Sequence, residues 1–124
     1  MRRAIVALAL LAAGCGLPTG ETLVFDAASP ELANASVDPI TGVWESSPWD
    51  GADWVPYPPQ ATVVLEHGLG RVPRDVWVYI SFFEDGAESS LASGDLARYV
   101  DRDDSTLTIR NGTEVELFVR VTAH

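Results

Sequence analysis

Cysteine occurs once in this chain of 124 residues, at position 15, so no intramolecular disulfide is available and the fold must rest on its core. Lysine does not occur. All eight basic residues are arginine and face 18 aspartates and glutamates, a formal net charge of −10. Such a balance repels phosphate backbones and anionic headgroups, which argues against nucleic-acid binding and against electrostatic membrane docking. Histidine is nearly absent too, with only His67 and His124, so acid–base or nucleophilic chemistry has few imidazoles to use. No apolar run reaches the ~20 residues that span a bilayer, and the one at Ala4–Ala13 is about half that length.

The short apolar run has a context of its own. Arg2 and Arg3 precede it and small residues follow it, the arrangement of a secretory signal. Its end, Leu11-Ala12-Ala13-Gly14-Cys15, resembles the lipobox of bacterial lipoproteins, with alanine at position 12 where leucine is commoner. The resemblance implies cleavage between Gly14 and Cys15, a diacylglycerol on the Cys15 sulfur, an acyl chain on the new amine, and attachment to the membrane through that lipid. Several acyl chains hold a protein persistently where one does not. Gly16, in place of the aspartate that commonly retains such proteins at the inner membrane, points to the outer membrane of the cell envelope. The alternative is an ordinary secretory signal with an incidental cysteine. Loss of residues 1–14 leaves 110 residues, one domain's worth, and removes Arg2 and Arg3, taking the formal charge from −10 to −12.

Beyond Cys15, residues 15–36 read as anchor and tether, rich in proline, glycine and small residues; Thr22–Asp26 reads either as a first strand or as an extended part of that tether. Residues 37–124 read as one β domain. Trp44, Trp49, Trp54 and Tyr57 are interspersed with Pro48, Pro56, Pro58 and Pro59 over residues 41–60, which excludes helix and predicts an ordered loop or edge. Residues 61–67 alternate as a strand, and residues 75–83 are apolar on both faces, which predicts a central strand covered on both sides. A polar loop over Glu88–Asp95, a strand over Leu96–Asp101 and a turn over Asp101–Ser105 follow. Thr106–Arg110 and Glu114–Thr122 then alternate around Asn111-Gly112, which reads as a hairpin; parity selects a three-residue bulged loop that pairs Leu107 with Val115. The expected fold is all-β, a small antiparallel sandwich or partly open barrel of about five to seven strands.

For function, the aromatics of residues 41–60 are the leading candidate: Trp44, Trp49, Trp54 and Tyr57, if exposed, offer flat faces to a glycan or a partner protein, and if buried they cap an open end of the sandwich. Asp101, Asp103 and Asp104 supply hard oxygens in one turn, suited to calcium or equally to a solvated turn, and Asp50 with Asp53 is a weaker pair of the same kind. His67 beside Gly68 reads as a surface or turn residue, and Ser81 or Ser105 would need it as a base. Residues 64–78, with a His-x-Leu-Gly turn and a proline between two strands, resemble phage tail-fibre and small lectin-like sandwich motifs, which implies a recognition role. The expected function is therefore a non-enzymatic, membrane-anchored envelope lipoprotein that binds a glycan or an envelope protein, with no cofactor. The alternatives are a structural or assembly lipoprotein, and a calcium-dependent or hydrolytic enzyme.

Overall fold

Strict apolar–polar alternation gives each strand one inward side, and two such sheets bury those sides against each other. The computed structural model describes residues 20–49 and 53–124, and among these the chain forms ten strands and two single 3₁₀ turns, with no α-helix. One sheet holds β1 (Thr22–Phe25), β5 (Thr62–Glu66), β9 (Thr106–Arg110) and β8 (Arg98–Arg102), in the order β1-β5-β9-β8. The other holds β2 (Ser36–Val37), β3 (Trp44–Glu45), β10 (Leu117–Ala123), β6 (Val76–Ser81) and β7 (Ser90–Leu91) in that order, with β4 (Val55–Tyr57) also paired to β10. The sheets do not close into a barrel, and the architecture is a small β-sandwich. Very short strands raise the count above the five to seven expected.

The core lies between the inner faces. Leu23, Phe25, Val63, Leu65, Leu107 and Ile109 from the four-stranded sheet meet Val78, Ile80, Leu117, Val119 and Val121 from the six-stranded one. Each such side chain contributes ~1.5–3 kcal/mol on burial. The ambiguity at residues 22–26 resolves as strand, since β1 pairs with β5 from Thr22↔Thr62 to Phe25↔Leu65, and the pairing is parallel in an otherwise antiparallel molecule. Leu32 is buried as well, so packed structure begins well before residue 37.

The expected hairpin at Asn111-Gly112 does not form. Leu107 lies opposite Leu65 on one side and Arg102 on the other, whereas β10 pairs with β6, β3 and β4 in the second sheet. The alternation of both segments is as expected, but each buries its apolar face from a different sheet, and residues 111–116 cross between them. Asn111 organises that crossing. It is fully buried; its Nδ2 donates to the carbonyls of Tyr57 (3.0 Å), Pro58 (3.0 Å) and Val115 (2.9 Å), and its Oδ1 accepts from the Thr113 amide (3.0 Å) and hydroxyl (2.6 Å). A side chain saturated in this way replaces the turn that an exposed asparagine would have made.

Within residues 75–83 the strand is β6, Val76–Ser81, interior to its sheet and flanked by β10 and β7, but only one side is covered. Val78 and Ile80 are buried while Trp77 is 52 % exposed. A two-layer protein has no third layer to lay over an outer sheet face. Phe82 and Phe83, beyond the strand's end, are exposed too.

Candidate functional site

One lane of the larger sheet is interrupted. Glu45 lies opposite Thr122 on β10, the Ser46 amide donates to the Val121 carbonyl (2.9 Å), and pairing resumes only at Val55 opposite Val119. The intervening chain therefore leaves the lane opposite Arg120. Pro48 cannot donate to a ladder, and Pro56 is tolerated because β4 is an edge. Of this detour, residues 50–52 lie outside the described residues.

Arg120 fills the outer side of the gap. Its neighbours in sequence, Val119 and Val121, face the core, so parity turns Arg120 outward, yet it is only 2 % exposed. Its Nε donates to the Ser47 carbonyl (2.8 Å), and one Nη donates to the Glu45 carboxylate as an ion pair. Among the described residues its Nη1 has no hydrogen-bond partner. Trp49 covers it, with the guanidinium carbon 4.0 Å from the indole centroid, and Tyr79 flanks the same guanidinium at 5.6 Å. Trp49 in turn meets Tyr79 edge-on at 4.7 Å and Trp54 at 6.2 Å.

The expected four-aromatic surface is thus divided. Trp44, Trp54 and Tyr57 are buried, and of the four only Trp49 is exposed, at 52 %. Burial recovers the large apolar area of each ring. Tyr57 donates its hydroxyl to the Leu96 carbonyl (2.8 Å), and burial pushes its phenol well above the usual range. Trp44 lies edge-on to His67, and Trp54 lies beneath Gly86.

What the detour builds instead is a mixed face. Trp49 joins Trp77, Tyr79 and Leu91 around a depression of about 370 Å³ on the outer side of β6 and β7. Trp77 and Leu91 also border a larger cleft of about 910 Å³ that runs between the open edges of the two sheets, β7 on one side and β8 on the other. Tyr99 ties that cleft across the sandwich by donating its hydroxyl to the Val76 carbonyl (2.8 Å); burial raises its phenol, with Arg102 opposing. Arg74, Arg98 and Arg102 line the cleft, with Asp75 and Asp101. Sequence reading missed Trp77 and Tyr79 as surface groups because it covered both sides of β6. The signal was their own alternation, together with the lack among the described residues of any α-helix to supply a cover.

Several other candidates are already satisfied internally. His67, read from the sequence as a surface or turn residue, is buried in the turn that follows β5; its Nδ1 accepts from the Leu69 amide (2.9 Å), so Nε2 carries the proton and donates to the Asp103 carbonyl (3.1 Å). Neither serine reaches it, since Ser81 donates to the Ala87 carbonyl (2.6 Å) and Ser105 to the Asp103 carboxylate (3.3 Å). Asp103 caps its own turn, its Oδ1 accepting from the amides of Thr106 (2.7 Å) and Ser105 (2.9 Å); these two bonds, in that order, hold its carboxyl below the ordinary value. Asp101 accepts from the Arg102 amide (2.8 Å), and Asp53 accepts from Asn34 (2.6 Å). Among the described residues, no three acidic, histidine or cysteine side chains are placed to hold a metal ion.

Cys15 and the whole of the segment read as a secretory signal lie outside the described residues, as does Asp50. No helix among the described residues is long and apolar enough to cross a membrane. No protein-family model, curated protein or solved structure matches the chain.

Proposed function

We propose that this chain is a lipid-anchored protein of the bacterial cell envelope, held through Cys15, whose β-sandwich binds a glycan or a protein partner without catalysing a reaction. The binding face is that of Trp49, Trp77, Tyr79 and Leu91, in place of the sequence-expected set Trp44, Trp49, Trp54 and Tyr57. The observation that carries it is the exposure of two indoles on one outer sheet face, one of them held in place by a buried guanidinium. Exposed aromatics of this kind are the side chains that dominate binding energy at interfaces. Support for the anchor is the sequence Leu11-Ala12-Ala13-Gly14-Cys15, and support for the outer membrane is Gly16. Support for a non-catalytic role is that the side chains of His67, Ser81 and Asp103 are each engaged by different local partners and do not converge on a shared site.

A structural or assembly role is the second reading, favoured by the burial of Trp44, Trp54 and Tyr57 as core. Two measurements separate the readings. Full-length protein purified in detergent, applied to glycan arrays and to solubilised envelope proteins, should capture a ligand that Trp49→Ala and Trp77→Ala variants lose; undiminished capture by both variants rejects the assigned face. Membrane fractionation of Cys15→Ser should release the protein from membranes, and its retention rejects the anchor.

A further inference from the structure

We propose that the cleft between the two open sheet edges takes a short acidic oligosaccharide, its sugar rings lying on Trp77 and Tyr99 and its carboxylates on Arg74 and Arg102. This rests on the binding-module reading above and gives it a ligand class.

Charge distribution is the first reason. Outside the signal segment the chain has six arginines, and three of them, Arg74, Arg98 and Arg102, line this cleft, whereas only two of the 18 acidic residues, Asp75 and Asp101, do so. In a chain of net charge −10 this is where positive charge gathers. Arg98 is engaged by Asp95 at 2.7 Å, but Arg74 and Arg102 have no ion pair among the described residues. A guanidinium presents two parallel N–H groups that match a planar carboxylate. Asp75 and Asp101 in the same cleft favour a singly charged carboxylate over a doubly charged phosphate, and the acidic body favours a short segment over a long polyanion.

The second reason is the shape of the walls. Trp77 is 52 % exposed and Tyr99 is 55 % exposed, and both border the cleft. The negative faces of aromatic rings attract the polarised C–H faces of pyranose rings. The volume of about 910 Å³ has room for several sugar units. An extended peptide fits less well, because strand addition needs a long regular edge. Here β8 carries a register shift between Tyr99 and Asp101, and β7 is two residues long.

The test is calorimetric titration of the full-length protein in detergent with tetragalacturonate, with neutral cellotetraose and with a tetraglutamate peptide. Arg74→Gln and Arg102→Gln probe the cleft, and Arg71→Gln makes the same charge change outside it; near-ultraviolet circular dichroism checks that each variant is folded. Tetragalacturonate should bind, with about tenfold or greater loss in each cleft variant and none in Arg71→Gln. Equal affinity for cellotetraose overturns the acidic class and leaves a glycan-binding module standing. Equal affinity for tetraglutamate overturns the sugar and leaves a partner-binding module standing. A loss in Arg71→Gln as large as in the cleft variants overturns the location. Absence of tetragalacturonate binding overturns this inference; if the glycan-array and envelope-protein captures also fail, the reading beneath it is rejected with it.

Discussion

The guanidinium of Arg120 lies 4.0 Å from the centroid of the Trp49 ring, sealed between an indole and the sheet it grows from. The same arginine holds the Ser47 carbonyl and the Glu45 carboxylate, so a single side chain fixes both the base and the lid of the detour between β3 and β4. A charge so enclosed is costly to leave unpaired, and its partners are costly to strip.

Arg120→Ala should therefore destabilise the fold by about 2–4 kcal/mol, because the Ser47 carbonyl loses its donor and a cavity opens beneath Trp49. Arg120→Met keeps the stem that Trp49 rests on and should lose less, about 1–2 kcal/mol. Urea unfolding followed by tryptophan fluorescence measures both, and a loss in Arg120→Met as large as in Arg120→Ala would show that packing of the stem beneath Trp49 contributes nothing.

Asn111 should be as sensitive as any apolar core residue. Asn111→Ala removes three donated bonds and two accepted ones, with an expected loss of about 3–4 kcal/mol. Asn111→Asp keeps the shape but turns an acceptor oxygen toward three carbonyls, so its loss should be larger at neutral pH and should shrink in acid, where a protonated carboxyl donates once. A pH-independent loss in Asn111→Asp would contradict the donor role.

Gly86 lies against the Trp54 ring, and a Cβ there would sit 2.4 Å from the indole at a backbone φ of +80°. Gly86→Ala should cost about 3 kcal/mol through steric clash added to left-handed strain. Gly94→Ala, at φ +62° with open space around it, should cost only the strain, about 1 kcal/mol. Comparison of the two melting temperatures isolates the packing contribution.

Acid should act on this fold in two opposed steps. Burial and then the neighbouring Glu116 raise the Glu21 carboxyl, so its folded form holds a proton more readily than its unfolded form; its contribution favours folding at low pH and is lost as pH rises through the raised value. Asp103 is depressed, so its contribution is present above its unfolded value and lost as pH falls through the folded one. Glu21→Gln should flatten the dependence in the weakly acidic range, and Asp103→Asn should flatten it below that range. Denaturation at stepped pH values reads both slopes; an unchanged profile in Asp103→Asn would refute the assignment of its turn bonds.

Strand periodicity was legible wherever an alternating run met a single inner face, as in Val63 and Leu65 or Leu107 and Ile109. Pairing was not. Adjacent alternating segments suggest a hairpin, but nothing in the alternation says that residues 106–110 and 117–123 face the core from opposite sheets, and the decisive fact is a buried side chain, Asn111, reaching back more than fifty positions to Tyr57. Among the described residues of 44–57 the prolines correctly excluded helix. Which of those aromatics would be core depended on where the lane along β10 broke, and that break is set by Arg120, seventy-odd residues downstream.

β1 is the first strand of the sandwich, lies at its edge, and runs parallel to β5 through four aligned positions. Its ladder bonds are evenly spaced along one direction, so a pull applied at Gly20 along the strand axis loads them together and not one after another. If the chain is tethered at Cys15, this short strand is the shear joint of the molecule, where a tug between the lipid anchor and a bound ligand is resisted first.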